Sequence, residues 1–143
     1  MDTLHTVVFY TIEKTIKTYR QFAQKQLKEA GLKITIDQWL IIKSIDDDPA
    51  ITQQEIAEKV FKDNASVTRI IDLLAKAKYI KRTVNKDDKR RSDLTITGEG
   101  KKIIEQVYKV VLNNRATALK GLNKKEIEIT QKVLQSIINN CNE

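Results

Sequence analysis

The feature that most constrains this chain is a change in the spacing of its apolar residues at Ile80. Upstream of it, apolar residues recur every three or four positions, which is the spacing of one face of an α-helix. From Ile80 to Val84, and again from Leu94 to Thr97, apolar and polar residues alternate, as in a half-buried strand. The pattern predicts one β-hairpin set between helices.

Two short helices are predicted directly before the hairpin. The segment Thr52 to Glu55 (TQQE) has the pattern of a capping box, in which the first side chain accepts a bond from a backbone N–H and the last reaches back. Asp63 can cap the following helix. The apolar stripe of that helix is narrow and comprises Val67, Ile70, Ile71 and Leu74. The opposite face is left free for contact and consists of Ala65, Arg69, Asp72 and Lys76, with Ser66 and Thr68 at its flanks.

The loop of the hairpin is long and basic. It runs from Asn85 to Arg91 (NKDDKRR), whereas hairpin loops usually have about two to five residues. Residues 62–97 hold ten Lys and Arg against five Asp, so they carry +5 of the chain's total charge of +7. Positive charge concentrated beside a free helix face is typical of nucleic-acid binding. The loop is therefore predicted to protrude as a wing.

A long helix is predicted at the start of the chain. Residues 4–30 have helical apolar spacing, and Gly31 suits a helix end. Such a helix would be about 40 Å long, which exceeds what the core of one small chain needs. Part of its apolar face is therefore predicted to meet a partner chain.

Three further helices complete the pattern. One starts at the capping box Thr35 to Gln38 and stops before Pro49, and Ala50–Ile51 could follow as a short strand. Another follows Thr97 and ends at Gly121. The last starts at Asn123 and carries Cys141 on its apolar side. The order predicts a mainly α winged helix-turn-helix at residues 35–98, flanked by helical regions at residues 1–34 and 99–143.

Several classes of function find no support in the residues. One Cys and one His allow neither an internal disulfide nor a zinc cluster, and we expect no metal and no cofactor. No phosphate-binding loop and no catalytic set can be identified, so we expect no enzyme. The chain has no apolar run of about 20 residues and no signal-peptide pattern, which predicts a cytoplasmic protein that does not span a membrane.

These segments resemble the multiple-antibiotic-resistance regulator (MarR) family of bacterial transcription regulators, most closely from Thr52 to Gly100. The resemblance lies in the order and spacing of five motifs: the second-helix segment 53–58 (QQEIAE), the recognition helix 63–74 (DNASVTRIIDLL), the wing entry 80–82 (IKR), the wing signature 88–90 (DKR) and the dimer-helix entry 96–100 (ITGEG). Phe61 and Lys78 stand where the family often has glycine. A left-handed backbone at such a residue costs about 1 kcal/mol.

The resemblance implies a homodimer that reads a palindromic operator in double-stranded DNA, with residues 1–34 and 99–143 as its helical dimerisation region. It also implies a repressor that responds to a small aromatic effector. The effector pocket would be lined by Phe9, Tyr10, Tyr19 and Trp39, although Trp39 is also expected as a core residue. A winged-helix adaptor that binds protein instead of DNA is the alternative, and it would show an apolar free face on the helix that starts after Asp63.

Within the wing, Arg90 resembles the residue that the family inserts into the minor groove, where negative potential attracts arginine. Asp88 would support the wing by pairing with a nearby Arg, whereas Lys86, Lys89 and Arg91 would contact phosphates. The simpler alternative is a solvated charged loop.

In the recognition helix, Arg69 would reach a guanine edge or a phosphate. Alternatively, Arg69 would form an exposed ion pair with Asp72 on the same helix, which would contribute little. The other expected DNA contacts lie near the start of the same helix, at Asn64, Ala65, Ser66 and Thr68. For Cys141 we expect packing instead of a redox role.

Overall fold

The computed structural model describes all 143 residues as six helices and one hairpin. The helices are α1 (Val8–Glu29), α2 (Ile36–Asp47), α3 (Gln53–Lys59), α4 (Asn64–Lys76), α5 (Gly98–Ala118) and α6 (Lys124–Cys141). The strands are β1 (Ile80–Val84) and β2 (Ser92–Ile96), and a 3₁₀ turn at Leu4–Thr6 precedes α1. The order confirms the predicted mainly α winged-helix fold. No helix combines the length and the apolar character that crossing a bilayer requires.

Local sequence determines where most helices begin and end. The capping boxes predicted at Thr35 and Thr52 are present with both of their hydrogen bonds, and a third forms at Asn123. After α1 and after the end of α5, Gly31 and Gly121 adopt φ of 75° and 83°, a left-handed conformation that glycine reaches without strain. The predicted starts of α2, α3 and α6 are confirmed, but the predicted start of the first helix near residue 4 was wrong, because α1 begins at Val8.

The core joins α2, α3 and α4 to the base of the hairpin and to the first half of α5. Its fully buried side chains are aliphatic and include Ile41, Ile42, Ile56, Val67, Ile71 and Val107. Only the last part of α1 adds to it, through Leu27. The winged unit, residues 35–98, therefore contains most of the apolar core of the chain.

The hairpin pairs β1 with β2 in antiparallel register, with Ile80 opposite Ile96 and Val84 opposite Ser92. The short strand expected at Ala50–Ile51 was wrong, because the sheet has two strands only. Residues 48–51 instead form a turn in which the Asp48 carbonyl accepts from Ile51 N at 3.0 Å. The Asp48 side chain accepts from Ala50 N at 3.1 Å, so the local turn replaces strand pairing.

The helical ends of the chain, residues 1–34 and 99–143, are packed much less completely. In α1 only Ala23 and Leu27 are buried, and in α6 no residue is buried. Large apolar side chains are exposed on both helices, among them Val8, Ile16, Ile129, Val133 and Ile138. Cys141 was expected to be a packing residue, but its side chain is exposed within this single chain. The reason is that α6 docks on almost nothing of its own chain.

The winged unit passes into α5 without a linker. Thr97 caps α5, donates its N–H to the Tyr79 carbonyl at 3.1 Å, and donates its hydroxyl to the Lys78 carbonyl at 2.6 Å. A side chain at Gly100 would overlap with that same Tyr79 carbonyl oxygen and with Ile96. Glycine is therefore required there so that α5 can start directly against the hairpin.

Candidate nucleic-acid interface

The recognition helix α4 begins at a strong cap. Asp63 accepts from the backbone N–H of Ser66 at 2.7 Å and from the Ser66 hydroxyl at 3.1 Å. These bonds, the backbone one first, lower the pKa of the Asp63 carboxyl from its ordinary value of 3.8. The cap therefore stays ionised near neutral pH and orders the end of the helix that carries the predicted DNA contacts.

Arg69 lies on the exposed face of α4. One of its guanidinium nitrogens donates to the Ser66 hydroxyl at 3.2 Å. The alternative pairing with Asp72 does not form, because Asp72 binds Arg82 of β1 at 2.8 Å and so ties α4 to the hairpin. A guanidinium has five N–H donors, so Arg69 keeps most of them free towards solvent.

Thr68 has a role that sequence reasoning missed. Its hydroxyl accepts from the Gln53 side chain at 2.6 Å and donates to the Asn64 carbonyl at 2.9 Å. Gln53 is the first residue of α3, so this bond fixes the crossing of α3 and α4. The capping box revealed the start of α3, but nothing in the sequence indicated that the residue after the cap would reach α4. Asn64 and Ala65 are exposed.

The wing loop is organised by Asn85. Its side-chain oxygen accepts from the backbone N–H of Asp87 at 2.8 Å and of Asp88 at 3.0 Å. Its amide nitrogen donates to Asp93 at 3.1 Å. An asparagine that bonds the backbone two residues ahead imitates a turn, so this long loop has a defined shape.

Arg90 and Asp88 form a pair at the end of the wing. One Asp88 carboxylate oxygen accepts from the backbone N–H of Arg90 at 3.0 Å and from Arg90 Nε at 3.3 Å. The Arg90 side chain is nevertheless 93% exposed. The contact directs the guanidinium and leaves its two terminal nitrogens free to bind another molecule.

Arg91 turns back to the protein. Its guanidinium donates to the Ala50 carbonyl at 3.2 Å, across the loop between α2 and α3. Glu55 lies nearby, and its pKa is lowered mainly by a hydrogen bond from the Thr52 hydroxyl and to a lesser degree by the charge of Arg91. The hydrogen bond to Ala50 braces the wing, and the phosphate contact of Arg91 stays a prediction. Lys86 and Lys89 are exposed on the same loop.

The four residues predicted to line an effector pocket have different surroundings in this chain. Trp39 is buried in the core, whereas Phe9 and Tyr10 are exposed on α1. Tyr19 packs on Phe22 with ring centroids 6.5 Å apart. A shallow groove along α1 includes Tyr10, but its other lining residues are polar.

The two positions that depart from the glycine pattern have the backbone expected there. Phe61, in the turn between α3 and α4, has φ of 62°, and Lys78, between α4 and β1, has φ of 68°. Both turns therefore keep left-handed geometry with side chains that disfavour it. The Phe61 side chain projects into solvent.

Sequence and structure comparisons with known proteins both point to regulators that contain a winged helix. The sequence profile of the MarR family matches residues 34–92. Over 135 residues the chain is 28% identical to the HTH-type transcriptional regulator SarZ of Staphylococcus epidermidis, covering 92% of this chain and 79% of SarZ.

Solved structures share the fold. BpsR of Bordetella bronchiseptica, whose DNA binding is regulated by 6-hydroxynicotinic acid, superimposes with a TM-score of 0.85 at 18% identity, over 96% of each chain. A mutant of MarR from Escherichia coli in complex with operator DNA gives a TM-score of 0.81 at 24% identity, over 89% of this chain and 90% of that one. These relatives are regulators and not enzymes. Residues 34–92 of the chain thus match the MarR family of transcriptional regulators, and the chain as a whole has the winged-helix fold of the solved MarR structure.

Proposed function

We propose that this regulator is a homodimeric repressor that reads a palindromic operator. The observation that carries the proposal is the Arg90–Asp88 pair on a basic wing beside the polar face of α4. An α-helix fits the major groove of DNA, and an exposed, oriented arginine fits the narrow minor groove beside it. The free face of α4 presents Arg69, Asp72 and Lys76, which disfavours the alternative of an apolar protein adaptor.

The proposal of a dimer rests on the helical ends. Exposed apolar residues on α1 and α6 extend over several turns of helix, and such large apolar surfaces mark contacts between proteins. A second copy would cover them and would place two winged units on one face of the assembly. Two recognition helices about 34 Å apart would then enter successive major grooves on one side of the DNA.

Effector control is the finer part of the proposal. DNA binding by the structural relative BpsR is regulated by 6-hydroxynicotinic acid, a small aromatic acid. We propose that a small aromatic molecule likewise shifts this dimer towards a spacing of the winged units that does not fit its operator. Phe9, Tyr10, Tyr19 and Trp39 remain the proposed lining. A repressor of this kind acts on the chromosome, hence in the cytoplasm.

Selection of bound fragments from random DNA tests the function directly. The expected product is a palindrome with two half-sites about one helical turn apart. On that operator, Arg90→Ala should weaken binding by about 1–3 kcal/mol without dissociating the dimer. Arg115→Ala removes another exposed arginine, from α5, and serves as the control. Equal affinities of the two variants in a gel-shift titration would refute the assignment of the wing.

A further inference from the structure

The junction of α1, α2 and the turn before α4 holds an ion cluster centred on Asp37. One carboxylate oxygen accepts from the guanidinium of Arg20 on α1. The other lies 3.2 Å from the Lys62 ammonium. Lys62 directly precedes Asp63, the residue that caps the recognition helix. A single carboxylate therefore links the helical ends to the element that is proposed to read DNA.

This cluster differs from most ion pairs of the protein. Pairs such as Lys17–Glu13 join residues one turn apart on the same helix and cannot affect how helices are arranged. Around Asp37 the three side chains come from separate elements and are only 29–40% exposed. Water and salt therefore screen their attraction less than that of a fully exposed pair.

Hydrogen bonds beside the cluster reinforce the same junction. One turn further along α1, the Gln24 side chain accepts from the backbone N–H of Ile36 at 2.9 Å. Its amide nitrogen donates to the Ile34 carbonyl at 3.4 Å. Together, Arg20 and Gln24 hold one face of α1 against the start of α2, so the angle between these helices is constrained at two points.

We propose that Asp37 is a positioning residue that sets the operator spacing which the dimer accepts. The inference rests on the proposed function, because it requires two winged units held by one dimer interface. One added base pair moves a half-site by about 3.4 Å and rotates it by about 34°. A dimer whose winged units are held firmly against α1 binds an operator of altered spacing weakly. In a dimer with a loosened junction the winged units can shift to the new spacing, so less affinity is lost.

The test is a spacing series. The operator obtained by selection is synthesised with its central spacing unchanged, shortened by one base pair and lengthened by one base pair. Wild-type protein should lose about tenfold or more in affinity for each altered duplex, comparable to a mismatch within a half-site. In Arg20→Ala and in Asp37→Asn that loss should fall to about threefold or less. Lys17→Ala removes a cation from α1 without touching the cluster, and it should keep the wild-type preference.

The outcomes separate the inference from the proposed function. If both variants remain folded dimers by circular dichroism and sedimentation and keep the wild-type spacing preference, the positioning role is wrong. Uniform weakening on all three duplexes would also overturn it, because that is what a merely structural role produces. If Asp37→Asn does not fold, the result for Arg20→Ala alone tests the inference, because Arg20 lies on α1 and its replacement leaves α2 unchanged. If wild-type protein binds no palindromic duplex, the proposed function fails first and the inference with it.

Discussion

The winged unit and the helical ends bury their apolar residues in different ways. In residues 35–98, side chains such as Ile42 and Ile71 are completely enclosed by their own chain. In α6, by contrast, no residue is buried, and its large apolar side chains face solvent. The winged unit therefore buries most of its large apolar side chains within one chain. The helical ends carry similar apolar side chains, but no part of the same chain covers them.

The largest expected effect comes from opening the core of the winged unit. Ile71 is 0% exposed on α4, and Ile71→Ala should lower the free energy of unfolding by about 2–5 kcal/mol, because it leaves a cavity. Leu73→Ala, two residues further on the same helix, is the control, since Leu73 is 53% exposed. Urea unfolding at one protein concentration measures both. Similar losses in the two variants would mean that the described burial of α4 is wrong.

A smaller effect, on assembly instead of folding, is expected at α6. Ile138 is 51% exposed in the single chain and would be covered by a partner. Ile138→Asp should weaken the dimer by about 2 kcal/mol or more, roughly 30-fold in its dissociation constant, because an ionised carboxylate resists burial. Gln135→Asp places the same charge on the polar side of α6. If sedimentation velocity finds both variants equally dimeric, α6 is not part of the interface.

The smallest effect is expected at Lys78, where the left-handed backbone strains the turn before β1. Lys78 has φ of 68°, so Lys78→Gly should raise the free energy of unfolding by about 1 kcal/mol. The neighbouring Ala77 has φ of −74°, which is not strained. Ala77→Gly should therefore lower the free energy of unfolding, because glycine only makes the unfolded chain more flexible. Thermal unfolding of the two variants should therefore shift in opposite directions. Shifts of the same sign would show that the left-handed turn carries no strain.

Much of this fold could be predicted from the sequence because its signals are local. A capping box such as Thr52 to Glu55 needs only four consecutive residues, and both of its bonds are present. The change from helical to alternating spacing at Ile80 marks the start of β1 within one residue. The resemblance placed Phe61 and Lys78 where the family often has glycine, and both residues have the left-handed backbone that glycine favours.

The features that were missed depend on contacts between distant residues. Instead of the strand expected at Ala50–Ile51, the chain forms a turn in which the Asp48 side chain accepts from Ala50 N. The Ala50 carbonyl accepts from Arg91, which is 41 residues further along the chain. The bonds from Gln53 to Thr68 and from Arg20 to Asp37 likewise join separate elements. Periodicity shows which face of a helix is apolar, but it does not show which polar side chains meet when helices cross. The predicted DNA-contact residues remain predictions for the same reason, because their partner is another molecule.

The close contact at Gly100 has a mechanical consequence. Because no side chain fits between that residue and the Tyr79 carbonyl, the first turn of α5 lies directly against the base of the hairpin. The helix therefore works as a rigid lever fixed to the winged unit, about 31 Å long for its 21 residues. A tilt of about 10° at its far end, where a second subunit would press, corresponds to a displacement of about 5 Å along that length. Small changes in how two subunits pack would thus be passed along α5 to the winged unit.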